Sequence, residues 1–247
     1  MIVRTPAFDI LDPLPSLENE TVLALMDLDA NPGLAGARRT HLTRRERREL
    51  EGPGAERLRA GRLAARVCLK ESLAGRGWIQ APGDCEVGRD ERGRPRLALR
   101  VVRGAGLPPD CSLSHSGRWA LSAWTRVPGL RVGADIEARS ARWAERRAAV
   151  RTADDDDDTE LAPADRTAVL WTLKEAAAKA LGSGLGGALD CAVRREDGTT
   201  ICRIEAGGGH QRLVGDVVLR PLESLVVYAE QQPHSLARRP PPAVEPA

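Results

Sequence analysis

The chain has 247 residues, enough for one large domain or two small ones around a substantial core, which Leu, Val, Ala and Ile must fill because only five tryptophans, one tyrosine and one phenylalanine are present. With 37 Lys plus Arg against 35 Asp plus Glu the net charge is +2, which supplies no general basis for nucleic-acid binding. The five cysteines are widely spaced with no CxxC pair, indicating neither a disulfide framework nor a zinc site; the first eleven residues lack a signal-peptide core and no apolar run reaches membrane-spanning length, so a soluble cytoplasmic protein is expected.

Residues 1–40 hold Pro6, Pro13, Pro15 and Pro32, with a short strand predicted over Thr21–Asp27. Thr43-Arg-Arg-Glu46 spells a capping box that opens a short helix to about Glu51, and Pro53-Gly54 ends it. A longer helix is predicted from about Ala55 to Ala74; its Arg57, Arg59, Arg62 and Arg66 form either a solvated basic face or one that holds phosphates. Trp78–Pro109 reads as loop, with a turn at Asp90-Glu-Arg-Gly93. Strands over Cys111–His115 and Arg118–Thr125 flank the turn Ser116-Gly117, and a third strand covers Leu130–Glu137. An arginine-rich helix is expected over 139–151, and the five consecutive aspartates at 154–158 should form a self-repelling exposed loop. Helix formers fill Pro163–Leu181 with Gly182 as the stop, and Gly182–Gly187 reads as a helix cap and flexible turn. Strands are expected near 190–194, 199–206, 212–219 and 224–230, then a disordered tail over 231–247.

Only three of the 37 basic residues are lysines: Lys70, Lys174 and Lys179. Two fall in one helix, where Leu170, Leu173, Ala177 and Leu181 make an apolar face while Glu175 and Lys179, four apart, share another. An ammonium is a compact point charge and is not interchangeable with a guanidinium, so this placement suggests a need for it. Leu69-Lys-Glu-Ser-Leu-Ala74 recurs as Leu173-Lys-Glu-Ala-Ala-Ala178, and each helix leads through turns to an apolar strand. The expected fold is therefore α+β: a pseudo-twofold monomer of two similar halves, 1–126 and 127–230, each a small antiparallel sheet packed on a long helix.

Asp135 and Glu137, two apart at a strand end, leave the same face. By themselves they are a pair of solvated acids as readily as a Mg²⁺ site; Glu175 would add a third carboxylate. His115 in Ser114-His-Ser-Gly117 is a phosphate donor or a structural turn histidine, since the sequence lacks the G-x-S-x-G of a hydrolase. Gly182-Ser-Gly-Leu-Gly-Gly187 matches G-x-G-x-x-G but follows a helix, which rejects a dinucleotide site.

Together, Val132-Gly-Ala-Asp-Ile-Glu137 and Trp171-Thr-Leu-Lys-Glu-Ala-Ala-Ala-Lys179 resemble the paired signature of 4′-phosphopantetheinyl transferases of the surfactin-synthetase-activating type. Gly93-Arg-Pro95, Leu113-Ser-His-Ser-Gly-Arg-Trp119 and the Arg57–Arg66 helix extend the match over about residues 40–190; Ala134 and the aspartate run depart from it. The resemblance implies transfer of phosphopantetheine from coenzyme A to a serine of an apo acyl or peptidyl carrier protein, with release of adenosine 3′,5′-bisphosphate. Asp135, Glu137 and Glu175 would hold Mg²⁺, or Mn²⁺ in its place, and Glu175, Lys179 and His115 would be catalytic. Coenzyme A would meet Arg57 and Arg62 at its 3′-phosphate and Arg92, Gly93, Arg94 and Pro95 at its adenine. Ser114, His115, Asp135, Lys174 and Lys179 would lie at its phosphates. A monomer is expected, with no nucleic-acid or membrane partner. Two alternatives stand beside it: a non-catalytic coenzyme A or nucleotide binder, and another Mg²⁺-dependent phosphate-transfer or hydrolysis enzyme. The arginines of 139–151 would steer an acidic carrier, or simply keep an exposed helix soluble.

Overall fold

The computed structural model describes residues 10–11, 21–51, 55–99, 108–156, 161–196, 199–206, 209–219 and 224–231; the expected tail beyond Gln231 lies outside them, as do Asp157 and Asp158. The two-residue β1 (Ile10–Leu11) pairs with β2 (Thr21–Asp27), and α1 (Leu34–Thr40), absent from the sequence expectation, precedes α2 (Arg44–Leu50). Thr43 caps α2 through the anticipated capping box, its hydroxyl accepting from Glu46 N while the Glu46 carboxylate accepts from Thr43 N. The twenty-residue α3 (Glu56–Gly75) follows. Where loop was expected, β3 (Cys85–Arg89) and β4 (Pro95–Leu99) form a hairpin. Its turn is closed by the Asp90 carboxylate, which accepts from the N–H groups of Arg92 and Arg94, with Gly93 at φ 80°. Such short strands are specified by their mutual pairing more than by intrinsic preference, and two or three apolar residues in alternation are too few to mark them in the sequence.

β5 (Asp110–Ser116) and β6 (Trp119–Thr125) form a second hairpin, then β7 (Arg131–Ala138). The single helix expected over 139–151 is two one-turn helices, α4 (Arg142–Glu145) and α5 (Arg147–Val150), and Trp143 and Val150 are buried in a small core with Ala168. α6 (Pro163–Leu181) has Pro163 in its first turn and is stopped by Gly182 in the left-handed region at φ 71°. The glycine-rich segment that follows forms a short helix, α7 (Gly184–Leu189), and is not merely a turn. β8 (Ala192–Glu196), β9 (Thr199–Ala206), β10 (Gly209–Leu219) and β11 (Ser224–Gln231) complete the chain.

The architecture is α+β with small antiparallel sheets. One sheet has the order β1-β2-β6-β5 and the other β7-β11-β10-β9-β8, so the order β2-β6-β5 recurs as β7-β11-β10. α3 packs on β6 and β5, and α6 on β7 and β11. Four buried alanines of α6 (Ala176, Ala177, Ala178, Ala180) present little bulk, and Gly133 of β7 completes the fit: a Cβ there would stand 1.9 Å from the Ala176 carbonyl oxygen. The two sheets meet through a shared core of Leu23, Leu25, Trp119 and Leu121 with Val132, Ala134 and Ile136.

Between β5 and β7 there is no backbone ladder. Alternate side chains of β5 bridge instead: the Asp110 carboxylate accepts from Val132 N at 2.8 Å, the Ser112 hydroxyl from Ala134 N at 3.0 Å, and the Ser116 hydroxyl from Ala138 N at 3.3 Å. Period-two alternation of a strand puts these residues and Ser114 on one face, toward β7.

Candidate active site

Asp135 and Glu137 leave β7 on the face that meets β5 and α6. Ser114 Oγ donates to Asp135 Oδ1 at 2.6 Å, and Ser116 Oγ donates to Glu137 Oε2 at 2.8 Å. From α6, Lys179 Nζ reaches Asp135 Oδ1 at 2.5 Å and Ser114 Oγ at 3.1 Å, and lies 3.9 Å from Glu175 Oε2. The structure thus brings Ser114, Asp135, Lys179 and Glu175 into one cluster, with Glu137 beside it. Asp135 is only 4 % exposed, and its second oxygen, Oδ2, is buried with no hydrogen-bond partner.

Burial raises the Glu175 carboxyl above the ordinary carboxylate range and the Asp135 charge raises it further, against the pull of Lys179. Glu137 is raised by burial and then by Asp135, with the Ser116 hydrogen bond opposing. His115 moves the other way: burial, then Arg62 and Lys179, lower it. The ring lies against α3 at Gly61, where a Cβ would come within 2.7 Å of Nδ1, so the glycine is a close-approach site.

A cavity of about 330 Å³ opens beside the cluster, with Glu175, Ala178 and Lys179 on one side and Arg92, Gly93, Arg94 and Pro95 of the β3–β4 turn on another. The turn is carried to the end of α6 by contact with Gly182, whose Cβ would stand 2.8 Å from Arg94 Cδ. Arg94 is held by Asp110, with Nη2 at 3.1 and 2.8 Å from the two carboxylate oxygens. Arg66 and Arg89 also line the space; neither was singled out as a site residue, although Arg66 stood on the arginine-bearing helix. Arg62 faces His115 electrostatically, whereas Arg57 lies on the exposed first turn of α3. Ser112, Ser116 and Asp110 were likewise missed; the signal was the alternation of polar residues along β5.

Lys174 departs from expectation. It is fully buried and donates to Asp155 Oδ2 at 2.7 Å, while Asp155 Oδ1 accepts from Val193 N at 2.8 Å. The structure does not bring it to the cluster, because one residue before Glu175 on a helix is a turn of about 100° away. Asp155 in turn is 5 % exposed, so the middle of the described aspartate run is not a solvated loop. The same device occurs at the repeated motif: Lys70 is fully buried, donates to Glu46 Oε2 at 2.7 Å, and Glu46 Oε1 accepts from Val87 N at 3.1 Å.

A hard cation is tested by its donors. Three carboxylates, one of which (Asp135) has a buried oxygen without a partner, suit an oxygen-preferring ion, and Asp135, Glu137 and Glu175 are the residues that would hold it. As placed, with the Lys179 ammonium among them, no group of three His, Cys, Asp or Glu among the described residues closes around one point. No helix among the described residues is long and apolar enough to cross a membrane.

No curated protein matches the chain. The segment from β7 through α6 and β11, residues 131–237 and therefore every carboxylate of the cluster, matches the family model of the 4′-phosphopantetheinyl transferase superfamily.

Proposed function

We propose that the protein transfers the 4′-phosphopantetheine arm of coenzyme A to a serine hydroxyl of an apo carrier protein, in the manner of the surfactin-synthetase-activating enzymes. The new bond joins the carrier oxygen to phosphorus, the pyrophosphate bridge breaks, and adenosine 3′,5′-bisphosphate leaves. The observation that carries this is the cluster Asp135–Ser114–Lys179–Glu175 beside an arginine-lined cavity, within the segment that matches the superfamily. The proposal includes a pseudo-twofold arrangement of the two halves, for which the repeated strand order and the repeated buried Lys–carboxylate pair speak. It also takes the protein to act as a cytoplasmic monomer.

The carrier serine is neutral and must lose a proton as it attacks. Glu175 is the base: burial and Asp135 raise its pKa, which strengthens its proton affinity at the reacting oxygen. Lys179 neutralises phosphate charge as it develops, and Ser114 orients Lys179 and Asp135 through one hydroxyl. His115, lowered by burial and by Arg62 and Lys179, is a neutral hydrogen-bond donor to phosphate. Arg92 and Arg94 flank the nucleotide end, with Arg94 fixed by Asp110. Mg²⁺, held by Asp135, Glu137 and Glu175, would polarise the pyrophosphate oxygens when bound.

The test is a carrier-loading assay by intact mass across fatty-acid, polyketide and nonribosomal-peptide carriers. Wild type should add the phosphopantetheine mass in a Mg²⁺-dependent way, and Glu175→Ala should slow loading by about 10²- to 10⁴-fold. Loading by Glu175→Ala at the wild-type rate removes its role as base. Coenzyme A binding with no mass gain on any carrier points to a binder, and bisphosphate release without a carrier points to a hydrolase.

A further inference from the structure

Lys179 stands among the oxygens that a metal would use. We infer that its ammonium is the resident counter-ion of the Asp135–Glu175 cluster in the free protein, so that a divalent ion binds well only once coenzyme A draws Lys179 away. This rests on the transfer reading above and adds the order in which the site fills.

Asp135 Oδ1 already receives two donors, Ser114 Oγ at 2.6 Å and Lys179 Nζ at 2.5 Å. The same ammonium lies 3.1 Å from Ser114 Oγ and 3.9 Å from Glu175 Oε2. An ion that approached Asp135 through Oδ1 would have to displace it. An ion that used Oδ2, the buried oxygen without a partner, would share one carboxylate with a cation, and like charges at that separation in a half-buried site repel strongly. Lysine is suited to yielding, because its charge sits on four flexible methylenes. It also has somewhere to go. Lys179 lines the cavity shared with Arg66, Arg89, Arg92 and Arg94, so phosphates entering there offer the ammonium a competing set of oxygens. Its side chain is 29 % exposed. Moving Nζ onto a phosphate takes the cation off Asp135, leaving Oδ1 with Ser114 Oγ as its donor and Oδ2 open to the ion. Ser114, which touches lysine and aspartate alike, stays with Asp135 through the exchange.

Coenzyme A and metal are then positively coupled, and each must raise the other's affinity by the same factor. Phosphate oxygens also ligate metals directly, so coupling in wild type alone does not isolate the lysine; removing the ammonium does. Mn²⁺ binding followed by loss of the free-ion electron paramagnetic resonance signal should be weak in the wild-type protein and tighten on adding coenzyme A. Lys179→Met, which keeps the length of the side chain without the charge, should bind Mn²⁺ without coenzyme A on the order of tenfold more tightly than wild type, with the coupling reduced. Lys179→Gln gives the same readout should Lys179→Met lose its native melting transition. Equal Mn²⁺ affinity of the neutral variants and wild type in the absence of coenzyme A overturns the counter-ion role. Calorimetry of coenzyme A binding separates the two levels: if wild type does not bind it, the transfer reading fails; if it binds and the neutral variants still take up Mn²⁺ no better, only the counter-ion role fails.

Discussion

Lys174 and Lys179 share a helix and have opposite fates. Lys179 lies at the rim of a cavity among carboxylates, while Lys174 is sealed under the β8 edge with Asp155 as its partner. The pair is costly to break because the survivor keeps its charge in a poorly solvated place: after Lys174→Met, the donors to the Asp155 carboxylate among the described residues are backbone groups, Thr152 N at 2.6 Å and Val193 N at 2.8 Å. A loss of about 3–5 kcal/mol in urea unfolding is expected for Lys174→Met, with a large part recovered in Lys174→Met/Asp155→Asn. The folded double variant should bind coenzyme A as wild type does; weakened binding would mean that Lys174 reaches the phosphates after all. The recurrence of this pair as Lys70–Glu46, in the half that lacks the Asp135–Glu137 acids, marks it as an anchor of helix to hairpin.

At the scale of elements, the cluster exists because α6 lies almost on the backbone of β7. Asp135 and Glu137 sit on the strand and Glu175 and Lys179 on the helix, so their separations depend on how near the two can come. Gly133 and the alanines of α6 set that distance. Gly133→Ala would place a methyl 1.9 Å from the Ala176 oxygen and 2.6 Å from Ala180 N, and neither backbone atom can step aside without moving α6. The expected cost is about 3 kcal/mol or more, read as a lowered urea midpoint. Coenzyme A affinity should fall with it, since the displaced helix carries Lys179 away from Asp135. Where β7 meets β5, the side-chain bridges from Asp110, Ser112, Ser114 and Ser116 replace a ladder, and two of them orient acids as they join the sheets.

For the whole molecule, the shared core decides cooperativity. Leu23, Leu25, Trp119 and Leu121 come from the first half of the chain, and Val132, Ala134 and Ile136 from the second. Neither half can lose this packing without exposing the other, so one transition is expected, with far-ultraviolet dichroism and tryptophan fluorescence superimposing in urea. Ile136→Ala should lower stability by about 2–5 kcal/mol and shift both probes together. Two separated transitions would show that the halves fold independently. The Asp135–Lys179–Glu175 cluster lies along this same junction, so its geometry is a property of the joined halves.

The elements with strong local signals were legible in the sequence: the Thr43 capping box, α3, α6 with its Gly182 stop, and the strands β2, β5, β6 and β7. Asp135, Glu137, Glu175 and Lys179 stood out through spacing on a strand and a helix and through the scarcity of lysine, and Ser114 through the family resemblance; the structure sets Ser114, Asp135, Glu175 and Lys179 side by side. What only the tertiary structure decided was environment. A run of aspartates looks solvated until a buried ammonium claims Asp155, and Lys174 looks like a phosphate ligand until its direction is known. The β3–β4 hairpin is fixed by its own pairing, and the polar alternation of β5 becomes a set of bridges only when β7, some twenty residues on, packs beside it. Local sequence sets which conformations each segment prefers; burial and charge pairing depend on what packs against it, and those neighbours are chosen only when the whole chain folds.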